Sequence, residues 1–157
     1  MAAATGPLSG NQVRLYYVAT PLTTRTAAGI TAAAVAGNQV GFVQTVGDIE
    51  GAANPIEFSE LGQTYTSSVP GQRTAGTQDF TVTAHFENAT HAALRDDAGT
   101  DTHSLIIEFR ADADDSTFCL LDGRVGGVTV SGLSPDAVNT INFSFSRQGA
   151  PVWADKP

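Results

Sequence analysis

Alternation of apolar and polar positions with a period of two runs through most of this chain, and that period belongs to β-strands. Its clearest stretch is Phe80-Thr81-Val82-Thr83-Ala84-His85-Phe86. Phe80, Val82, Ala84 and Phe86 share one face there, and Asp79, Thr81, Thr83, His85 and Glu87 share the other. Such a pattern predicts a half-buried strand of an antiparallel sheet. A short strand, Ile56–Phe58, precedes it across a polar loop punctuated by Val69-Pro70-Gly71 and Gly76.

Other stretches read the same way. Val13–Ala19 is apolar on both faces, so both are expected to be covered. Val40–Val46 predicts a second strand. Ser104–Arg110 places Leu105, Ile107 and Phe109 on one face, and Thr117–Leu121 returns across the loop Ala111–Ser116. Asp122-Gly123 predicts a turn or bulge, and the glycines of Val125–Ser131 predict a bulge within that strand. Val138–Ser146 closes the set with Ile141, Phe143 and Phe145 facing in.

Only one segment carries convincing helix signals. Asn88 is a good N-cap, Ala89, Ala92, Ala93 and Leu94 favour helix, and Gly99 is a natural stop. A helix of about ten residues cannot stand alone and must pack on a sheet. Pro21–Asn38 is rich in Thr and Ala and stays ambiguous between a short helix at Ile30–Ala36, a hairpin around Gly29, a mobile loop, and an arm that orders against another subunit. The expected fold is mainly β: an antiparallel β-sandwich or barrel with one short flanking helix and extended loop and terminal arms. The expected organisation is an arm over residues 1–11, one domain over 12–147 with a long loop at 20–39, and a tail over 148–157.

Composition narrows the partners. The chain has 157 residues, enough for one domain with its own core. Sixteen acids against eight bases leave a net charge of −8, which argues against tight nucleic-acid binding because phosphate contacts need clustered Lys and Arg. The sequence shows neither a signal peptide nor a membrane-spanning run, so expression in a cytoplasm and no membrane partner are expected. Cys119 is the sole cysteine, which rules out an intrachain disulfide or a cysteine zinc site and predicts a small buried hydrophobe.

Candidate chemistry is thin. His85, Glu87 and His91 lie close in sequence, but no zinc-ligand spacing supports them, and His103 has no evident partner. Asp96, Asp97 and Asp101 around Gly99, and Asp112, Asp114 and Asp115 in a hairpin loop, lack the spacing of a calcium loop and suit turns and solubility. Tyr16, Tyr17, Tyr65 and Trp153 are too dispersed for a sugar platform. No nucleophile elbow, phosphate loop or dinucleotide fingerprint is present. No catalytic residue, metal or cofactor is expected.

The order of motifs is informative. An acid-bearing strand, IEFSEL, leads to VPGQRTAG and the strand QDFTVTAHF. A helix follows, then LIIEFR–ADADDS–TFCLLDGRV, and then VTVSGLSPDAVNTINFSFSRQGAPVW. Over residues 40–153 this succession resembles the major tail tube proteins of long-tailed bacteriophages. The resemblance implies a structural, non-enzymatic virion protein that forms hexameric rings stacked into a hollow tail tube, the conduit for genome delivery. It also implies tape measure, tail tip and terminator proteins as partners, DNA passing without specific binding, and assembly in the host cytoplasm into the virion tail. Asp79, Thr81, Thr83 and His85 would then be lumen-facing. Thr24, Ile30, Val35, Pro70, Gly71 and Trp153 would be inter-subunit positions. A related alternative is the tube or spike subunit of a secretion system. An alternative of another class is a monomeric β-sandwich binding module for carbohydrate or calcium, and a small hydrolase ranks behind it.

Overall fold

The computed structural model describes residues 13–41, 43–49, 53–59, 61–62, 64–109 and 116–157. Ten strands and two α-helices follow one another: β1 (Val13–Val18), α1 (Ala27–Ala33), β2 (Gln39–Val40), β3 (Val43–Val46), β4 (Ala53–Phe58), β5 (Ser67–Arg73), β6 (Thr77–Thr83), α2 (Ala89–Asp96), β7 (His103–Phe109), β8 (Thr117–Ser131), β9 (Thr140–Arg147) and β10 (Val152–Asp155). The architecture is mainly antiparallel β-sheet with some helix. Eight strands form one sheet in the order β2-β1-β7-β8-β9-β6-β3, with β10 beside β8, while β4 and β5 form a separate two-stranded sheet. The two end strands of that order, β2 and β3, are neighbours in the chain, with only residues 41 and 42 between them.

The sheet is covered unevenly. On one face Leu15, Tyr17, Val82, Leu105, Ile107, Cys119, Leu121, Ile141, Phe143 and Phe145 build the main core, joined by Leu94 from α2. Phe80 and Phe143 face each other across β6 and β9 and stack with ring centroids 5.1 Å apart. On the opposite face of β1, β7 and β8 lies a smaller core of Tyr16, Ile106, Phe118 and Leu120, closed by Ile30 of α1. The expectation that the first strand is covered on both faces holds, and β7 follows the same rule, with every residue from His103 to Glu108 buried. Ile141, Phe143 and Phe145 also face in as expected.

Several boundaries differ from the expectation. The Phe80–Phe86 strand begins earlier and stops at Thr83. Val82 is buried and Ala84 packs on the core, but Phe86 is exposed. The reason is local: the Asn88 N–H bonds to the His85 carbonyl at 3.0 Å, turning the chain before it enters α2. Asn88 caps that helix as expected, accepting from the Thr90 N–H at 2.9 Å. Thr117–Leu121 and Val125–Ser131 are one continuous strand. Asp122-Gly123 makes no turn, because His103 and Ser104 pair with Gly123 and Asp122. The bulge falls at Gly126-Gly127, where the register with β9 shifts between Val125 and Val128. Val40–Val46 divides into β2 and β3, which serve opposite ends of the sheet.

Buried polar groups of β1 and β7 are matched. Glu108, 5% exposed, accepts from Tyr16 Oη at 2.7 Å and from Ser116 Oγ at 3.0 Å. Burial, reinforced by the Glu108 carboxylate, pushes the Tyr16 phenol up to about 12. Burial likewise raises Tyr17, whose hydroxyl donates to Asp97 Oδ2 at 2.8 Å.

The two faces of β6 give a direct test. Val82→Asp buries a charge against Val43 and Ile141 and should prevent folding. Thr83→Asp sits on the polar face and should retain a cooperative melt and native circular dichroism. Equal loss of structure in the two variants would reverse the face assignment.

Candidate assembly surface

The hairpin β4–β5 stands apart from the rest of the chain. Its strands pair with each other and with no strand of the main sheet. Ile56 and Val69 are directly opposite, and with Phe58 they form an apolar face that is 58%, 45% and 43% exposed respectively. At the tip Leu61 and Tyr65 are also exposed, beside Gly62 in the left-handed region at φ 96°. An isolated two-stranded hairpin is marginal in water. This one shows an apolar face for which the described residues supply no cover.

Pro70 and Gly71 lie in a strand, although a Pro-Gly loop is the sequence expectation. Pro55 pairs with Pro70. Neither can donate to a ladder, which is tolerated in strands that border no further neighbour. Gly71 lies so close to the Asn54 carbonyl and the Ile56 side chain that a Cβ would collide with both. The exposed apolar set of Ile56, Phe58, Leu61, Tyr65 and Val69 was not among the sequence candidates. The signal available for it was a proline in each of two facing strand-like runs.

The outer face of β8, β9, β6 and β3 is a lattice of mostly uncharged polar side chains, with Asp79 of β6 and Arg124 of β8 exposed on it. Thr81 Oγ1 donates to Asn142 Oδ1 at 2.9 Å, and Asn142 Nδ2 donates to Ser131 Oγ at 2.6 Å. Gln44 Nε2 donates to Thr83 Oγ1 at 2.8 Å, and Thr77 and Ser146 hydroxyls lie 3.2 Å apart. Asp79 is exposed on the same strand face, paired in register with Ser144. Thus Asp79, Thr81 and Thr83 share one polar surface. His85 lies beyond the end of β6 and is exposed.

The segment from residue 20 to 39 is structured by the subunit itself. Thr26 caps α1, accepting from the Gly29 N–H at 3.3 Å, so the flanking helices number two. The Leu22 N–H donates to Ser104 Oγ at 3.0 Å, and Ser104 Oγ donates to Asp122 Oδ1 at 2.6 Å. Arg25 reaches the other oxygen of Asp122 at 2.7 Å. His103 Nδ1–H donates to the Ala19 carbonyl at 2.6 Å. Ile30 is fully buried beneath this segment, so it packs within its own chain, while Thr24 and Val35 stay exposed. Trp153, about half exposed, stacks on Phe109 with centroids 5.8 Å apart, and β10 ties the C-terminal residues to β8.

The histidines do not converge. The His85 N–H donates to His91 Nδ1 at 3.2 Å, and His91 Nε2–H donates to the Gly41 carbonyl at 3.3 Å. His91 therefore pins α2 to the link between β2 and β3. Burial holds it below its ordinary 6.5, the bond to the Gly41 carbonyl opposes that in part, and the nearby His85 adds a lesser lowering. Among the described residues no group of three His, Cys, Asp or Glu side chains could hold a metal ion. Asp97 is engaged by Tyr17. Asp112, Asp114 and Asp115, together with the N-terminal arm over 1–11, lie outside the described residues. No described helix is long and apolar enough to cross a membrane.

No family model matches the sequence, and no curated protein does either. Solved structures do match. A sheath/tube terminator of an extracellular contractile injection system superposes with a TM-score of 0.68 at 9% identity, covering 96% of this chain and 99% of that one. The SPP1 tail tube protein superposes at 0.66 with 16% identity, covering 94% and 79%. A chain of the extended sheath-tube complex of the injection system superposes at 0.63 with 11% identity, covering 96% and 93%. This chain has their fold. The similarity spans tailed phages and contractile injection systems, a wider range than the long-tailed phages that the motif order resembles.

Two outcomes are expected of the isolated subunit. Ile56→Ser with Val69→Ser should change its unfolding free energy by no more than about 0.5 kcal/mol, since neither side chain packs on the core. Urea titration measures this. Acid should weaken the fold through His91, because the unfolded state takes up its proton near 6.5 while the folded state resists. That contribution is complete above 6.5 and is lost as pH falls below it, and His91→Gln should remove this part of the slope.

Proposed function

We propose that this protein is a structural, non-enzymatic subunit that assembles with copies of itself into a hollow tube. The observation that carries the reading is the β4–β5 hairpin, whose exposed apolar face of Ile56, Phe58 and Val69 has no cover among the described residues. A second copy would supply that cover, and contacts of this head-to-tail kind close into rings when the rotation between copies closes. The fold shared with tube and terminator chains supports the same reading.

In this proposal six copies form a ring and rings stack. The eight-stranded sheet wraps as a sandwich or barrel, since β2 and β3 end the strand order yet adjoin in the chain. Residues 12–147 make the body, with 1–11 and 148–157 as terminal elements. Asp79, Thr81, Thr83 and the lattice around Asn142 face the lumen, with His85 at its margin. Hydroxyls and amides there, within a chain of net charge −8, give a passing nucleic acid little to adhere to. The hairpin, with Pro70 and Gly71, together with Thr24, Val35 and Trp153, contacts neighbouring subunits. The tube then serves as the conduit for a phage genome in the virion tail, assembled in the host cytoplasm with tape measure, tip and terminator proteins.

Negative-stain images of concentrated protein should show hollow tubes of uniform diameter. Ile56→Lys with Val69→Lys should stay a folded monomer under the same conditions. A wild-type protein that remains monomeric at every concentration, even when an initiating tip complex is added, would overturn the reading.

A further inference from the structure

Arg147 closes β9 with only 7% of its surface exposed. Among the described residues, the ion pairs join Arg25 to Asp122 and Arg95 to Asp96, and Arg147 takes part in neither. Its Nε is buried without a hydrogen-bond partner. A buried guanidinium whose Nε has no partner, and which no ion pair of the described residues engages, is costly, so its retention points to a ligand. The group lines a cavity of about 240 Å³ together with Arg73 and the links Thr74-Ala75 and Gln148–Pro151.

The site is built by backbone and is not an accident of one side chain. The Arg147 N–H bonds to the Gly76 carbonyl at 3.2 Å, and the Gln148 N–H bonds to the Asp122 carbonyl at 2.8 Å. The first bond holds the two links beside each other, and the second ties Gln148 to β8. Gly76 lies against both Arg147 and Gln78, a second buried side chain, whose Oε1 also lacks a partner. Arg73 ends β5, so the cavity lies at the root of the exposed hairpin.

We propose that Arg73 and Arg147 form a carboxylate-binding site, occupied on assembly by an acidic side chain of a second copy of this chain. This rests on the tube reading. A guanidinium presents a planar fork of donors that matches a carboxylate in two parallel bonds. The source follows from charge. A chain with sixteen acids against eight bases offers carboxylates in excess to any neighbour, and its net −8 disfavours a nucleic-acid phosphate. The position adds a second reason, since the hairpin that needs an apolar cover and the arginines that need an anion share one root. Docking of the partner acid would fix the hairpin against the body at the moment its apolar face is covered.

The test has two arms. In the first, Arg73→Gln, Arg147→Gln and the double variant are compared with wild type for melting temperature and for the concentration at which tubes form. The site predicts folded variants whose assembly concentration rises about ten-fold or more, because a charge-assisted bond from a buried group is lost. Where Arg147→Gln fails to fold, Arg73→Gln carries the comparison, since Arg73 is exposed. In the second arm, monomeric wild-type protein is titrated with sodium acetate, sodium succinate and inorganic phosphate while amide shifts are followed. Carboxylate should move Gly76 and the amides of Gln148 and Gly149, and Arg73→Gln should abolish the shifts. Unchanged assembly with no carboxylate shifts overturns the site while leaving the tube reading intact. Shifts with phosphate alone overturn the assignment of ligand. A wild type that binds carboxylate but never assembles overturns the tube reading, and with it the second copy as the source.

Discussion

Burial of β7 and the first half of β8 on both faces is the constraint on which this structure depends. A strand with two apolar faces needs two covers, and the chain supplies them from different places. The main core draws on β6, β9 and α2. The second face is closed by α1, with Leu22, Val152 and Ala154 packed beside it. Each fully buried Leu, Ile or Phe contributes about 1.5–3 kcal/mol, so neither cover is dispensable. This explains why a seven-residue helix, too short to persist alone, is held in place. It also explains why Ser104 and Asp122, which face that helix, are used to anchor the segment leading into it.

The hairpin β4–β5 obeys the opposite logic. Its apolar residues are matched to one another across the strands but not to the body. An apolar arm of this kind risks uncontrolled edge pairing, and paired prolines at Pro55 and Pro70 reduce that risk by removing donors from both strands. The arm is thereby kept available for a shaped partner and poorly suited to random strand addition. Arg147 at its root shows the same incompleteness in charge rather than in apolar surface. In the proposed assembly a neighbouring copy would meet both needs at one end of the molecule.

The polar sheet face is complete by comparison. Its Thr, Ser, Asn and Gln side chains bond to each other across strands, which holds them in place and leaves few groups seeking a ligand. Such a surface is hydrated without being adhesive. A grip on phosphate would need clustered cations, and this face carries Arg124 of β8 with Asp79 of β6 rather than a cluster.

The sequence by itself determined the strand-rich class, the inward faces of β6 and β9, the cap at Asn88, and the double-sided burial of β1. These are set by alternation and by side-chain-to-backbone bonds within a few residues, which need no knowledge of distant chain. It also suggested the polar face of Asp79, Thr81 and Thr83, because period-two patterning assigns faces directly. Only the tertiary structure decided that Val40–Val46 divides between opposite ends of one sheet. The same holds for α1, whose Ile30 finds its cover in Tyr16, Ile106 and Phe118 far along the chain. The arginine site was illegible for a like reason: Arg73 and Arg147 stand 74 positions apart and meet only around a cavity of the folded chain, and no local signal records that the Arg147 Nε is left without a partner among the described residues.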